Sequence, residues 1–328
     1  MTAHGYQIFV DELERFASDA ADARCAAIAN RLAAPLRVVV SGRRGAGRNT
    51  VARALACVGN SRGTIAVTTS PEADVDVYVI AEVVKPEDRA AISGAGRPVL
   101  TVLNKADLIA TRQPGCHPGG PTVAARTRCK QLSARTGVPI EPVVGLLAVD
   151  DLVDDTIWAG LQTLASPSDV PPVAEELHRR MLDTLDVFGV QQALGAIRRG
   201  ATRDQTRAVL RRLSCIDDVV DKIESFGAQV RYRRLLDAMA ELQTLAVADQ
   251  RIGEFLARDD TVLARMAMAV DVVEAAGMTV DRCDSAAAYL RRAVGWQRYS
   301  RGPVAGLHRA CGADIVRGSL RLWSKVGS

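Results

Sequence analysis

The stretch "VVVSGRRGAGRNTVARAL", residues 38–55, decides the fold. Its opening valines continue the apolar run that begins at Leu36, as expected of a strand buried on both faces. A glycine-rich turn follows, and the residues from Thr50 onward read as a helix. Strand, turn and helix in this order make the layout of a phosphate-binding loop, in which backbone N–H groups and a helix N-terminus converge on an anion. The loop pattern G-x-x-x-x-G-K-[S/T] is met at Gly42 and Gly47, with Gly45 and Ala46 inside the turn. Arg48 stands where a lysine reaches the terminal phosphates; it keeps the charge and changes its reach and geometry. Asn49 stands where a hydroxyl binds Mg²⁺, and its neutral amide oxygen suits a hard cation less well. Thr50 comes one residue late, about 100° further round the helix. Taken alone, the loop has a plainer alternative: a glycine-rich strand-to-helix turn that holds nothing.

A second motif points to a nucleotide. "PVLTVLNKADL", residues 98–108, ends an apolar strand with Asn104-Lys105-Ala106-Asp107, the N-K-x-D pattern of guanine-nucleotide proteins. A carboxylate accepts hydrogen bonds from both the ring N–H and the exocyclic amine of guanine, and adenine has no such pair on that edge. Asp107 takes that role, the Lys105 stem lies along the base, and Asn104 ties this loop to the phosphate loop. A third segment should donate a backbone N–H to the guanine oxygen, and "GLLA" at 145–148 occupies its place, with Leu146 as the candidate donor. The plainer alternative is a polar turn in which Asp107 caps a helix. The ligand expected is GTP or GDP, with Mg²⁺ held weakly or not at all. No catalytic residue and no metal ligand is assigned.

The machinery of hydrolysis is missing. Only "GNSRGTIAVTTSPEAD", residues 59–74, separates the helix after the loop from the next strand. It contains no D-x-x-G turn and leaves little room for a mobile switch, and nothing in the spacing favours Thr68 or Thr69 as a Mg²⁺ ligand. Positioning and charge neutralisation supply nearly all phosphoryl-transfer catalysis. Hydrolysis is therefore expected to be feeble or absent, which makes this a pseudo-GTPase.

Strands at "TIAVTT", "VDVYVIA", "PVLTVLN" and within "PIEPVVGLLA" alternate with helical segments, which predicts a mostly parallel sheet flanked by helices. The fold class expected is α/β of P-loop GTPase type, followed by an all-α helical bundle. "SPSDVPP" at 166–172 reads as a linker. The divisions expected are a helical segment over 1–34 that packs with the bundle, a degenerate G domain over 35–165, and a helical domain over 173–328. Residues 6–33 read as one helix. At 200–205, Gly200 stops a helix and Thr202 starts the next, with Gln205 at capping-box spacing.

Composition bounds the rest. The formal net charge is +4, too small for a general nucleic-acid binder, and none is expected as a partner. The seven cysteines are scattered without C-x-x-C spacing and read as free thiols. Cys116-His117 lacks a second ligand pair for a metal. The first fifteen residues carry acids and no apolar run nears the roughly 18 residues of a spanning helix, so a cytoplasmic location is expected. Arg317, Arg321 and Lys325 lie four apart on one stripe of the last helix, and Ile315, Val316, Leu320, Leu322 and Trp323 supply its apolar side. Such a helix either packs on the bundle with a solvated cationic face or lies on the inner face of a membrane. Arg203, Arg207 and Arg211 form a second basic set, read as solvated or as a face for an acidic partner.

The G-domain features resemble the translation-factor-like GTPase class. With "ANRLAAPLRVVVSGRRGAGRNT", "PVVGLLAVDDLVDDTIWAGLQTLA" and "MLDTLDVFGVQQALGAIRRGATRDQTRAVLRRL", the chain resembles small actinobacterial dynamin-like proteins, including the isoniazid-inducible type. The resemblance implies a helical bundle leaning on the G domain, nucleotide-linked dimerisation, and action at membranes or with a partner GTPase, as a homo- or heterodimer. The departures at positions 48 and 49 and in the switch region set the leading expectation: an impaired guanine-nucleotide protein that regulates another GTPase or a protein complex. The alternatives are a slow dynamin-like GTPase at membranes and a structural adaptor with an empty pocket.

Overall fold

The computed structural model describes residues 4–111, 120–149, 152–166 and 174–326. The chain begins with helices α1 (His4–Ala20) and α2 (Ala23–Ala33). The single helix expected over 6–33 is two, because Ala21 takes a left-handed φ of 50° and the Asp22 carboxylate caps the backbone N–H groups of Arg24 and Cys25. The α/β part follows as β1 (Leu36–Gly42), α3 (Arg48–Arg62), β2 (Ile65–Val67), β3 (Val75–Ala81), α4 (Pro86–Ser93), β4 (Val99–Asn104), α5 (Asp107–Thr111), α6 (Gly120–Thr136) and β5 (Ile140–Pro142). A 3₁₀ turn, Gly145–Ala148, leads into α7 (Asp155–Ala165), α8 (Glu175–Arg198) and α9 (Arg203–Ser214). The remaining helices are α10 (Ile216–Ala246), α11 (Gln250–Ala257), α12 (Asp259–Ala275), α13 (Ala286–Arg301) and α14 (Gly306–Val326).

The five strands form one parallel sheet in the order β2-β1-β3-β4-β5. On one face Tyr78, Ile80 and Leu103 are buried with Cys129 and Leu132 of α6. Helix α3 packs on β1 and β2 and buries Val51, Ala54, Leu55 and Val58. The chain leaves β1 for β2 on one side and runs from β3 to β4 and β5 on the other. The strand order therefore reverses between β1 and β3, and ligands of open parallel sheets bind at the carboxyl ends of such strands.

The chain divides into two compact units, residues 35–223 and residues 1–34 with 224–328. The sequence draws its boundary at 166–172, most of which lies outside the described residues; the compact unit runs on to Ile223. The reason is packing and charge. Helix α8 buries Met181, Leu185, Val190 and Ala193 in one apolar cluster with Leu147, Ile157 and Leu161. The acids that open α10 are held by arginines of the same unit. Asp217 lies 2.7 Å from Arg62 and 2.9 Å from Arg211, Asp221 lies 2.6 Å from Arg62, and Asp218 pairs with Arg126.

In the other unit, Phe9, Leu13 and Phe16 of α1 and Ile28 and Leu32 of α2 share a core with Tyr232, Leu235 and Leu242 of α10 and with Phe255 of α11. The Phe16 and Phe255 rings stack with centroids 4.8 Å apart. The basic stripe of α14 is engaged within this unit: Lys325 lies 2.7 Å and Arg321 3.3 Å from Asp259, and Arg317 lies 3.3 Å from Asp314. Among the described residues no helix is long and apolar enough to cross a membrane.

Candidate functional site

The loop between β1 and α3 bends through three glycines of positive φ: Gly42 at 130°, Gly45 at 86° and Gly47 at 89°. At Gly42 a side chain has no room, because a Cβ would sit 2.3 Å from the Val79 carbonyl oxygen of β3. Gly47 is the N-cap of α3 and offers no side chain, so the first N–H groups of that helix carry no side-chain cap. Within the loop itself, the Ala46 N–H donates to the Arg43 carbonyl at 3.3 Å. Arg48 and Asn49 are exposed and Thr50 is half-buried. Arg44 and Arg48 are exposed and form no ion pair among the described residues.

Asn104, at the end of β4, is the junction of the site. Its Nδ2 donates to the Ala46 carbonyl at 3.0 Å, and its Oδ1 accepts from the Gly145 N–H at 3.2 Å. One buried side chain, 5% exposed, thus joins the glycine loop, the N-K-x-D turn and the 3₁₀ turn. The Val143 N–H donates to Leu103 and the Leu147 N–H to Val144, and Leu146 lies half-buried in the same turn. Lys105 is exposed and sits at a left-handed φ of 58°, which turns the chain sharply between Asn104 and Ala106.

Asp107 opens α5 and is 7% exposed. Burial pushes its carboxyl above the usual range, against a hydrogen bond from its own backbone N–H. The Asp186 carboxylate of α8 adds like-charge repulsion and the Lys105 ammonium opposes it. Asp186 interrupts α8 with a non-helical backbone, φ 58° and ψ 171°. Its neighbourhood to Asp107 has no sequence signal, since nothing in "LDVFGV" marks a break in a helix. Gly189, just beyond it, lets α8 approach the 3₁₀ turn: a Cβ there would lie 2.6 Å from Leu147 Cδ2.

The loop also carries a brace that sequence reading passes over. Arg43 Nε donates to the fully buried Asp88 of α4 at 2.7 Å, and the Tyr78 hydroxyl donates to the same carboxylate oxygen at 3.0 Å. Its other oxygen accepts from the Lys85 N–H at 2.8 Å, closing the first turn of α4. An acid three residues after Lys85, at the start of a helix, is the signal that could have found it.

On the metal side the donor set does not fit. Asn49 brings an amide, and Thr50 sets its methyl group against Gly145, where a Cβ would meet it at 3.5 Å. The 68–74 segment is a tied turn: Thr68 N–H donates to Val38, Thr68 Oγ1 accepts from the Ser70 N–H, and Asp74 accepts from the Arg37 N–H. Among the described residues no cluster of three or more His, Cys, Asp or Glu could hold a metal. Cys116-His117 lies outside them. The second basic set serves within its unit: Arg203 and Arg207 each donate to the Val153 carbonyl at 2.7 Å, and Arg211 pairs with Asp217.

No family model matches the chain, and no curated protein matches it.

Proposed function

We propose that this chain binds a guanine nucleotide without hydrolysing it and acts as a pseudo-GTPase, the binding partner or regulator of another GTPase or of a protein complex. The observation that carries the reading is Asp107. It is a carboxylate more than nine-tenths buried at the carboxyl end of β4, and among the described residues no side chain donates a hydrogen bond to it. A carboxylate so placed can accept two hydrogen bonds, and the donor edge of guanine offers two. Asn104 supports the same reading by drawing the phosphate-loop, base and 3₁₀ segments to one point. Arg44 and Arg48, exposed and without an ion pair among the described residues, can neutralise phosphates that Mg²⁺ would otherwise balance.

Calorimetric titration with GDP, GTP and ADP, with EDTA present, tests this. Heat is expected from the guanine nucleotides alone and is unchanged by EDTA, while phosphate release from GTP stays at the blank. Mg²⁺-dependent hydrolysis abolished by Asp107→Ala would instead establish a slow dynamin-like GTPase. Silence with every nucleotide would establish a structural adaptor, a reading favoured by one observation: the acid of α8 beside an already buried Asp107.

A further inference from the structure

The helical unit carries a concavity that the nucleotide reading does not use. It measures about 420 Å³ and lies between α13 and the turn that follows α12. Its lining joins Thr279 and Asp281 of the turn to Arg291, Arg292, Trp296 and Tyr299 of α13, and Gly295 lies between these walls.

Gly295 is the first clue. It sits in the middle of a 16-residue helix, where glycine is less stable than alanine. A Cβ built there meets nothing within 4 Å, so no packing demand explains the missing side chain. What the glycine does is keep the concavity open. The walls beside it are aromatic and held in place. Trp296 and Tyr299 meet edge to face with centroids 5.0 Å apart, and the Tyr299 hydroxyl is 2.7 Å from His308 Nδ1.

Charge is the second clue. Arg292 is 8% exposed, and its guanidinium lies over the Tyr289 ring at 5.3 Å. Its Nε donates to Ser319 Oγ at 2.8 Å and its Nη1 to the Asp281 carbonyl at 2.7 Å, and among the described residues Nη2 makes no hydrogen bond. Arg292 also lines the concavity, so this edge of the guanidinium can take an acceptor from a ligand. Arg291, 68% exposed, stands beside it and reaches Asp281 only at 4.0 Å. The Asp281 carboxylate is itself occupied by the Cys283 N–H at 3.0 Å. The concavity therefore holds two cations against one engaged acid.

We infer that this concavity is a binding site for a small planar organic anion, an aromatic carboxylate. The ring would lie over Gly295 against Trp296 and Tyr299, and the carboxylate would accept from Arg292 Nη2 and from Arg291. Arginine pairs favourably with carboxylates, aromatic rings favour offset and edge-on contacts, and the volume falls within the range of small-molecule sites.

The chain contains three tryptophans, Trp158, Trp296 and Trp323, so a Trp158→Phe, Trp323→Phe background leaves Trp296 as the sole indole reporter. Titrating that protein at low salt with 1-naphthoate should quench Trp296 saturably. The neutral isostere 1-naphthamide should bind at least tenfold more weakly, and Arg291→Ala should weaken naphthoate about fivefold. Gly295→Leu should abolish binding by filling the space, while leaving the melting temperature unchanged or higher, so that loss of fold cannot account for the result. Calorimetry on the unmodified chain should return the same preference for acid over amide. Equal binding of acid and amide, unsaturable quenching, or naphthoate binding undiminished in a folded Gly295→Leu protein would each overturn the assignment.

Discussion

Arg43 of the glycine loop and Asp88 of α4 form an ion pair with Nε and Oδ1 2.7 Å apart, the carboxylate fully buried and the arginine side chain 31% exposed. Burial alone would push the Asp88 carboxyl up. The hydrogen bonds from the Lys85 N–H, Arg43 and Tyr78 outweigh that effect and hold it below the usual carboxylate range. On the other side of the pair, burial and the neighbouring Asp88 push the Tyr78 phenol to about 12, so it remains a donor throughout the physiological range.

Removing one partner strands the other. Arg43→Met should destabilise the protein, by less than the loss of a fully buried pair because the guanidinium is part-solvated. The sign with pH follows from the lowered Asp88 pKa: the stabilisation is fully present above the unfolded value of 3.8 and is lost as pH falls through the folded one. Urea midpoints at pH 7 and pH 3 should therefore show a wide gap between wild type and variant at neutral pH and a narrow one in acid. Equal gaps would mean that Asp88 owes its ionisation to something other than Arg43.

Asn104 and Gly47 make a second, steric prediction. Asn104→Ala leaves the Ala46 carbonyl and the Gly145 N–H without their partner, at about 1–3 kcal/mol for buried polar groups so stranded. Gly47→Ala should do at least as much harm. Its φ of 89° disfavours any Cβ, and that Cβ would lie 2.1 Å from Asn104 Nδ2. If both substitutions act on the same junction, the double variant should lose less than the sum of the two, read from a double-mutant cycle of unfolding free energies.

What the sequence makes legible is local. β1 and β3 appear with the bounds read for them and β4 starts one residue later, at Val99, because apolar runs between charged or proline-containing turns admit few alternatives. The Thr202 capping box forms with Gln205, and Asn104 bridges the two loops it was expected to bridge. What stays hidden depends on tertiary placement. The helix break at Ala21 rests on an Asp cap inside an unbroken apolar period. The closeness of Asp186 to Asp107 depends on where α8 lies, and the range 35–223 depends on acids at the start of α10 finding Arg62, Arg126 and Arg211. The stripe of α14 is visible in sequence, but its partner Asp259 is not.

Asp271 of α12 sets a pH dependence for the helical unit. Burial, with Glu274 adding like-charge repulsion, pushes its carboxyl to about 7, and Arg282 and Arg231 offset this only in part. An acid whose folded pKa is raised stabilises the folded state while protonated and loses that contribution as pH rises from 3.8 through 7. Asp271→Asn should therefore gain about 1–3 kcal/mol over wild type at pH 8 and nothing at pH 4. Chemical denaturation at the two pH values measures this, and a gain of the same size at both would show that charge is not its cause.

In the proposed reading, Asp107 joins stability and recognition in one carboxylate. Its pKa is raised by burial, so the ionised form that guanine needs is the form that the fold accommodates least well. Asp107→Asn removes that conflict and should raise unfolding free energy by about 1 kcal/mol at neutral pH, an increment that fades as pH falls toward the unfolded carboxyl value. The same change replaces an acceptor with an amide donor. Guanine, with its exocyclic amine, then meets donor against donor, whereas xanthine presents a carbonyl at that position and matches one amide donor. The variant should accordingly lose GDP by at least a hundredfold and prefer XDP, measured by calorimetry beside the denaturation series. A stabilised Asp107→Asn protein that still binds GDP as tightly as wild type would show that this acid does not read the base. A variant that loses GDP and gains XDP would tie the buried carboxylate to guanine by its hydrogen bonds alone.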